Sequence, residues 1–186
     1  MTLIQGGLPD YLAPGLSILF VGINPGLRSS DVGHHYAGYS NRFWKLLFDA
    51  GLIPSPMTYR DDGRLLEYGY GLTNLVAKPT AGLHNLSKQD LLEGRRALVK
   101  KITTYQPALV ALLGISVART VLSLEGSTLS SKGSKHRPIE AGLQPEFLEG
   151  AHVFVLPNPS GRNAHYSYQK MKDLFIELQT MSDQPS

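Results

Sequence analysis

Short apolar runs along this chain alternate with longer stretches whose apolar residues recur every three or four positions. Ile18, Leu19, Phe20, Val21 and Ile23 form the first run, interrupted only by Gly22 and stopped at Asn24-Pro25-Gly26. Its length suits one buried strand, and Gly26 offers a tight backbone approach after it. A polar loop with His34, His35 and Tyr36 follows. A helix then opens near Ser40 or Asn41, turns Phe43, Trp44, Leu46 and Leu47 inward and ends by Gly51. Residues 61–68 read as a short helix and residues 71–76 as a second strand. Ser87, with Asp90 three residues on, starts a helix that carries Leu91, Leu98, Ile102 and Tyr105 on one face. Glu93, Arg95 and Lys101 lie off that seam, and Pro107 stops it. Residues 108–113 form another strand ending at Gly114, and residues 117–124 a short helix. Residues 153–156 form a fourth strand, halted by the polar run 157–163. The last helix covers residues 166–180, with Met171, Leu174, Phe175 and Leu178 inward. Residues 138–150 are too weakly patterned to assign.

Strands alternating with helices predict a three-layer α/β/α fold around a largely parallel sheet of four or five strands. Such a sheet gathers its functional groups at the carboxyl ends of its strands. Asn24-Pro25-Gly26 and Asn158-Pro159-Ser160 both fall at that end, and Asn74 lies inside or near the end of a third strand. The expectation is a single domain over residues 1–186, with 1–15 and 181–186 as flexible ends.

Composition narrows the function classes. Hydrophobic residues make up 42% of the 186 and charged ones 18%, the balance of a globular chain. No apolar run is long enough to cross a bilayer, and the opening residues lack a basic stretch before an apolar core, so no membrane partner is expected. Cytoplasm is the expected location in a prokaryote, close to the nucleoid, and the nucleus in a eukaryote. The chain has no cysteine, which removes disulfides, thiol nucleophiles and iron–sulfur clusters. His34 and His35 are adjacent and diverge on an extended loop, so no metal site is expected, and no cofactor. The formal net charge of +3 is compatible with nucleic acid. Within residues 130–137, Lys132, Lys135 and Arg137 have no acid among them and could touch phosphates.

Candidate chemistry is limited by a shortage of acids. Asp31, Asp49, Asp61 and Asp62 belong to loops or helices, and none falls at a strand end beside Asn24. A pair of converging carboxylates is missing, as are a G-x-S-x-G elbow, a phosphate-binding P-loop and a G-x-G-x-x-G turn. The remaining option is a reaction that does not need a strong base.

The stretches 22–27 (GINPGL), 33–36 (GHHY), 41–45 (NRFWK) and 158–162 (NPSGR) resemble the mismatch-specific uracil/thymine-DNA glycosylases, the thymine-DNA glycosylase branch of the uracil-DNA glycosylase superfamily. The similarity continues through residues 71–76, the Ser87 helix, Tyr105-Gln106-Pro107 and residues 142–145, covering nearly the whole chain in order. It implies a uracil-DNA glycosylase-like fold and a monofunctional enzyme acting on double-stranded DNA with G·U or G·T mispairs. Neither Lys45 nor Lys78 is expected to form a Schiff base, and a monomer is expected. By the resemblance, Asn24 holds the attacking water, and the base pocket comprises Ile23, Gly26, Ser29, His35, Tyr36 and Asn74. Tyr36 would stack on the flipped base, His35 would hydrogen-bond near it, Ser29 would leave room at its 5-position and Asn74 would read its edge. Asn158, Pro159, Ser160, Gly161, Arg162 and Asn163 would form the wedge that enters the duplex, with Arg162 reaching the opposite guanine. Two alternatives stay open: a glycosylase restricted to uracil and etheno-type lesions, and an idle nucleic-acid-binding module.

Overall fold

A computed structural model describes residues 7–123 and 138–183. The strands are β1 (Ile18–Gly22), β2 (Tyr70–Asn74), β3 (Leu109–Leu113), β4 (Gly142–Leu148) and β5 (Ala151–Leu156), in the spatial order β2-β1-β3-β5-β4. All neighbours run parallel except the edge strand β4, which is antiparallel to β5. The α-helices are α1 (Leu27–Val32), α2 (Phe43–Asp49), α3 (Lys88–Tyr105), α4 (Ile115–Ser123) and α5 (Tyr168–Ser182), and residues Tyr59–Tyr68 form a 3-10 helix.

Alternation along the strands creates two apolar layers. Ile18 and Phe20 of β1, with Ala111 of β3 and Phe154 of β5, pack against Phe43, Leu46 and Leu47 of α2 and Phe175 and Leu178 of α5. Leu19 and Val21 turn the other way, with Leu112 and Val155, onto Leu98 and Ile102 of α3 and Val117 and Val121 of α4. β1 is buried over its whole length, which is why it reads as an uninterrupted apolar run. The expected α/β/α sandwich is present.

The differences from expectation have local causes. β4 occupies part of the unassigned segment 138–150. It contains Pro145, exposes Leu143 and Phe147 and shifts register between those two residues. A proline and a bulge are tolerated because this is an edge, and they blur the period-two signal. Part of the polar loop after Gly26 is helical (α1). The helix expected over 61–68 starts two residues earlier as a 3-10 turn, fixed by a capping box between Thr58 and Asp61. The Ser87–Asp90 capping box is formed as read. Asn41 Oδ1 accepts from Phe43 N at 3.0 Å at the start of α2.

Residues 7–15, expected to be flexible, are instead tied down. Tyr11 exchanges backbone hydrogen bonds with Leu72 at 2.9 and 3.0 Å. Lys101 Nζ lies 2.6 Å from Asp10 Oδ2 and donates to Thr73 Oγ1, whose own hydrogen goes to Asp10 Oδ1. Lys101 sits off the apolar seam of α3 because it anchors this segment.

Candidate active site

The carboxyl ends of β1, β2, β3 and β5 open into a cleft of about 900 Å³. Ile23, Asn24, Gly26, Ser29, His35, Tyr36 and Asn74 all line it, as do Asn158, Pro159, Ser160, Arg162 and Asn163. No Asp or Glu stands among its described lining residues. Lys132, Lys135 and Arg137 lie outside the described residues.

Asn24 is held in one orientation. Its Nδ2 donates to Thr80 Oγ1 at 2.7 Å, to Lys78 O at 3.0 Å and, more weakly, to Pro25 O at 3.3 Å. Thr80 Oγ1 spends its own hydrogen on Gly82 O at 2.8 Å, so toward Asn24 it can only accept. The amide cannot flip without breaking these bonds. Its Oδ1 has no protein partner among the described residues and remains an acceptor.

Around the end of β1, two side chains meet over Gly22. A Cβ built there would lie 2.6 Å from Asn74 Oδ1 and 3.2 Å from the Tyr36 hydroxyl, so only glycine lets both side chains come this close. The Asn74 amide has no hydrogen-bond partner among the described residues, and the buried Tyr36 hydroxyl has none either. Burial pushes that phenol well above its ordinary value, so it stays protonated and can donate. Tyr36 has φ 53°, a left-handed conformation that costs a non-glycine residue on the order of 1 kcal/mol or more. Its ring rests on Phe43, with centroids 4.1 Å apart. Gly26 does not make the close approach expected of it. Its φ is −68° and no protein atom lies within 4 Å of a built Cβ, so a side chain there would extend into open space.

Ser29 is only 6% exposed, and its Oγ accepts from Ala37 N at 3.0 Å, closing the loop that carries Tyr36. His35 touches the cleft, yet its Nε2 donates to Pro9 O at 2.8 Å and its ring is buried. Burial lowers its pKa, opposed by the Pro9 carbonyl and nearby carboxylates, and leaves a neutral imidazole. The side chain expected to reach a bound base is therefore committed to the segment before β1.

The loop after β5 faces this pocket. Asn158 Oδ1 accepts from Ser160 N at 2.9 Å, and Asn163 Nδ2 donates to Asn158 O at 3.0 Å, folding the loop on itself. A Cβ on Gly161 would meet Ser40 Cβ at 2.4 Å and Ser40 O at 2.7 Å, so the loop tip lies flush against the start of α2. Arg162 is exposed at the cleft edge.

With this geometry in view, the sequence matches the uracil DNA glycosylase superfamily over residues 9–179. The chain belongs to the uracil-DNA glycosylase superfamily. Membership carries DNA as the substrate and hydrolysis of an N-glycosidic bond as the chemistry. The fold is also similar to the solution NMR structure of a "putative Uracil DNA glycosylase" from Methanosarcina acetivorans. That similarity has a TM-score of 0.57 at 20% identity and covers 94% of this chain and 96% of that one.

Three supporting residues of this superfamily member escape a reading of the sequence. Thr80 fixes the Asn24 amide from 56 positions away. Asp62 holds the His34-His35-Tyr36 loop through the backbone N–H of His35 at 2.9 Å. Arg42, at the start of α2, donates through Nη2 to Ser160 O at 2.8 Å and Asn163 O at 3.2 Å, and its own N–H reaches Pro159 O at 3.0 Å. Arg42→Ala is expected to loosen this loop, costing about 2 kcal/mol of stability in a urea melt and weakening binding to DNA about tenfold. Unchanged binding would show that the loop keeps its shape without the guanidinium.

Proposed function

We propose that the protein removes uracil, and thymine, from mispairs with guanine by hydrolysing the N-glycosidic bond without cutting the strand. The observation that carries this reading is Asn24: an amide with all its donors engaged, offering one acceptor oxygen into a cleft whose described lining has no carboxylate. An amide oxygen positions a water but cannot take its proton. The reaction must then draw on a leaving group that departs as a stabilised anion. A pyrimidine released through N1 does so, since its negative charge spreads onto the ring carbonyls.

In this reading the target base swings out of the duplex into the cleft. The C1′–N1 bond breaks, the pair of electrons leaves with the base, and the water held on Asn24 Oδ1 bonds to C1′. The proton shed by that water passes to solvent, and the base is reprotonated. The Asn74 amide supplies the donor and acceptor that a pyrimidine edge needs, and the Tyr36 hydroxyl is a second donor beside it. Ser29, small and tied to Ala37, leaves the neighbourhood of the base's 5-position without a bulky group. Asn158 to Asn163 enter where the base has left, with Arg162 free to reach the opposite guanine.

The test is a labelled duplex carrying one G·U or one G·T pair, incubated with the protein and then treated with alkali. Cleavage of both is expected, with intact strands before alkali. Cleavage of G·U alone would restrict the activity to uracil and small lesions, and binding without base release would replace the enzyme by a binding module.

A further inference from the structure

A second groove, of about 660 Å³, lies beyond the loop that carries Tyr36, and base release makes no use of it. It shares Arg28, Tyr36, Gly38, Tyr39 and Asn41 with the main cleft, so the two form one continuous surface divided by a ridge. Tyr39 sits on that ridge and is 89% exposed, the barest of the large hydrophobic side chains among the described residues. The ring is nevertheless held. The Arg28 guanidinium carbon lies 3.6 Å from its centroid, and Arg28 Nε donates to Ala37 O at 2.8 Å. The next residue, Ser40, is the one that meets Gly161. Tyr39 therefore stands on the rim of the main cleft, next in the chain to the residue that touches the loop assigned to enter the duplex.

Beyond it the groove is lined by Tyr59, Phe48, Pro56 and Met57. Its acid, Asp49, is engaged by Lys45 and by the Tyr168 hydroxyl at 2.6 Å. Arg28 has no carboxylate partner among the described residues, and neither has Arg60, whose guanidinium carbon lies 5.6 Å from the Tyr59 centroid. Open aromatic faces beside uncompensated guanidinium groups suit a ligand that is planar and anionic at once. A nucleotide has both properties: a base to stack and a phosphate to pair.

We propose that Tyr39, braced by Arg28, is a stacking platform for the nucleobase flanking the released one on the same strand, with the intervening phosphate drawn to Arg28. The strand's path rests on the reading of the main cleft given above. Extruding one nucleotide exposes a face of its neighbour, and an aromatic ring at the cleft rim can cover it.

The test uses a duplex with an uncleavable abasic analogue opposite guanine. The flanking base is either present or removed, on each side in turn, and binding is measured by fluorescence anisotropy for wild type, Tyr39→Trp and Tyr39→Ala. Tyr39→Ala is expected to bind about tenfold more weakly, and Tyr39→Trp within about twofold of wild type. Removing the flanking base on one side is expected to cost wild type about tenfold and Tyr39→Ala nothing. A Tyr39→Ala loss of zero, or a loss equal with and without either flanking base, overturns the platform. Uracil release from a G·U duplex is measured alongside. No release with the flank-dependent loss intact would sink the glycosylase reading and leave the platform. Release with flank-independent losses would sink the platform alone, and no binding by wild type would sink both.

Discussion

Asn24→Ala is expected to lower the rate of uracil release by about a hundred- to a thousandfold while leaving DNA binding and thermal stability near wild type. On the reading proposed above, the amide offers the attacking water a fixed acceptor, and losing it returns the water to a disordered cleft. Single-turnover base release, measured beside binding to an uncleavable duplex, separates the two effects. A companion variant, Thr80→Val, keeps Asn24 but removes the oxygen that accepts from its Nδ2 at 2.7 Å. The freed amide can rotate and present nitrogen where oxygen is needed, so about a tenfold loss is expected. If Asn24→Ala released uracil at the wild-type rate, the water would have to be held elsewhere, and the chemical reading of the cleft would fail.

Asp62→Ala is expected to have the largest effect on stability, about 3 kcal/mol, measured by urea unfolding. Asp62 is 1% exposed and accepts from Tyr11 Oη at 3.0 Å, His35 N at 2.9 Å and Gly63 N at 2.9 Å. His34 Nδ1 lies 3.1 Å away and must carry its hydrogen to join them. Truncation leaves these donors without an acceptor and frees both ends of the loop's support, so base release should fall as well. The same cluster sets an alkaline limit. Burial, then the charge of Asp62 and its hydrogen bond, push the Tyr11 phenol from 10.0 up to about 12. The unfolded chain loses that proton first, so this contribution is complete below pH 10 and is lost as pH rises through about 12. Stability that stayed level across that window in wild type would contradict the placement of Tyr11 against Asp62.

The sheet and the position of Asn24 were legible because they rest on local signals. A five-residue apolar run broken by Asn-Pro-Gly is a strand end wherever it occurs, and a shortage of acids is visible by inspection. β4 was illegible because an edge strand with Pro145 in it has only one buried face and no clean period. The strap formed by Asp10 and Tyr11 looked loose because its partners, Thr73 and Lys101, lie far along the chain. Arg42 could be seen within a motif, but its contacts with Ser160 and Asn163 span more than a hundred residues. His35 shows the converse: its position beside Tyr36 suggested a polar contact with the base, and only packing revealed that Pro9 had claimed its Nε2.

The loop from Asn158 to Asn163 is stiff before any partner arrives: cross-linked to itself, clamped by Arg42 and pressed against Ser40. A probe of fixed shape gives up little freedom on contact and reshapes itself little for one base pair over another. On the proposed function, discrimination between a lesion and the far more numerous intact pairs then falls largely on the DNA itself. A weakly stacked or mismatched pair opens at low cost, a sound pair resists, and the protein's search becomes a mechanical survey of how readily each step of the duplex yields.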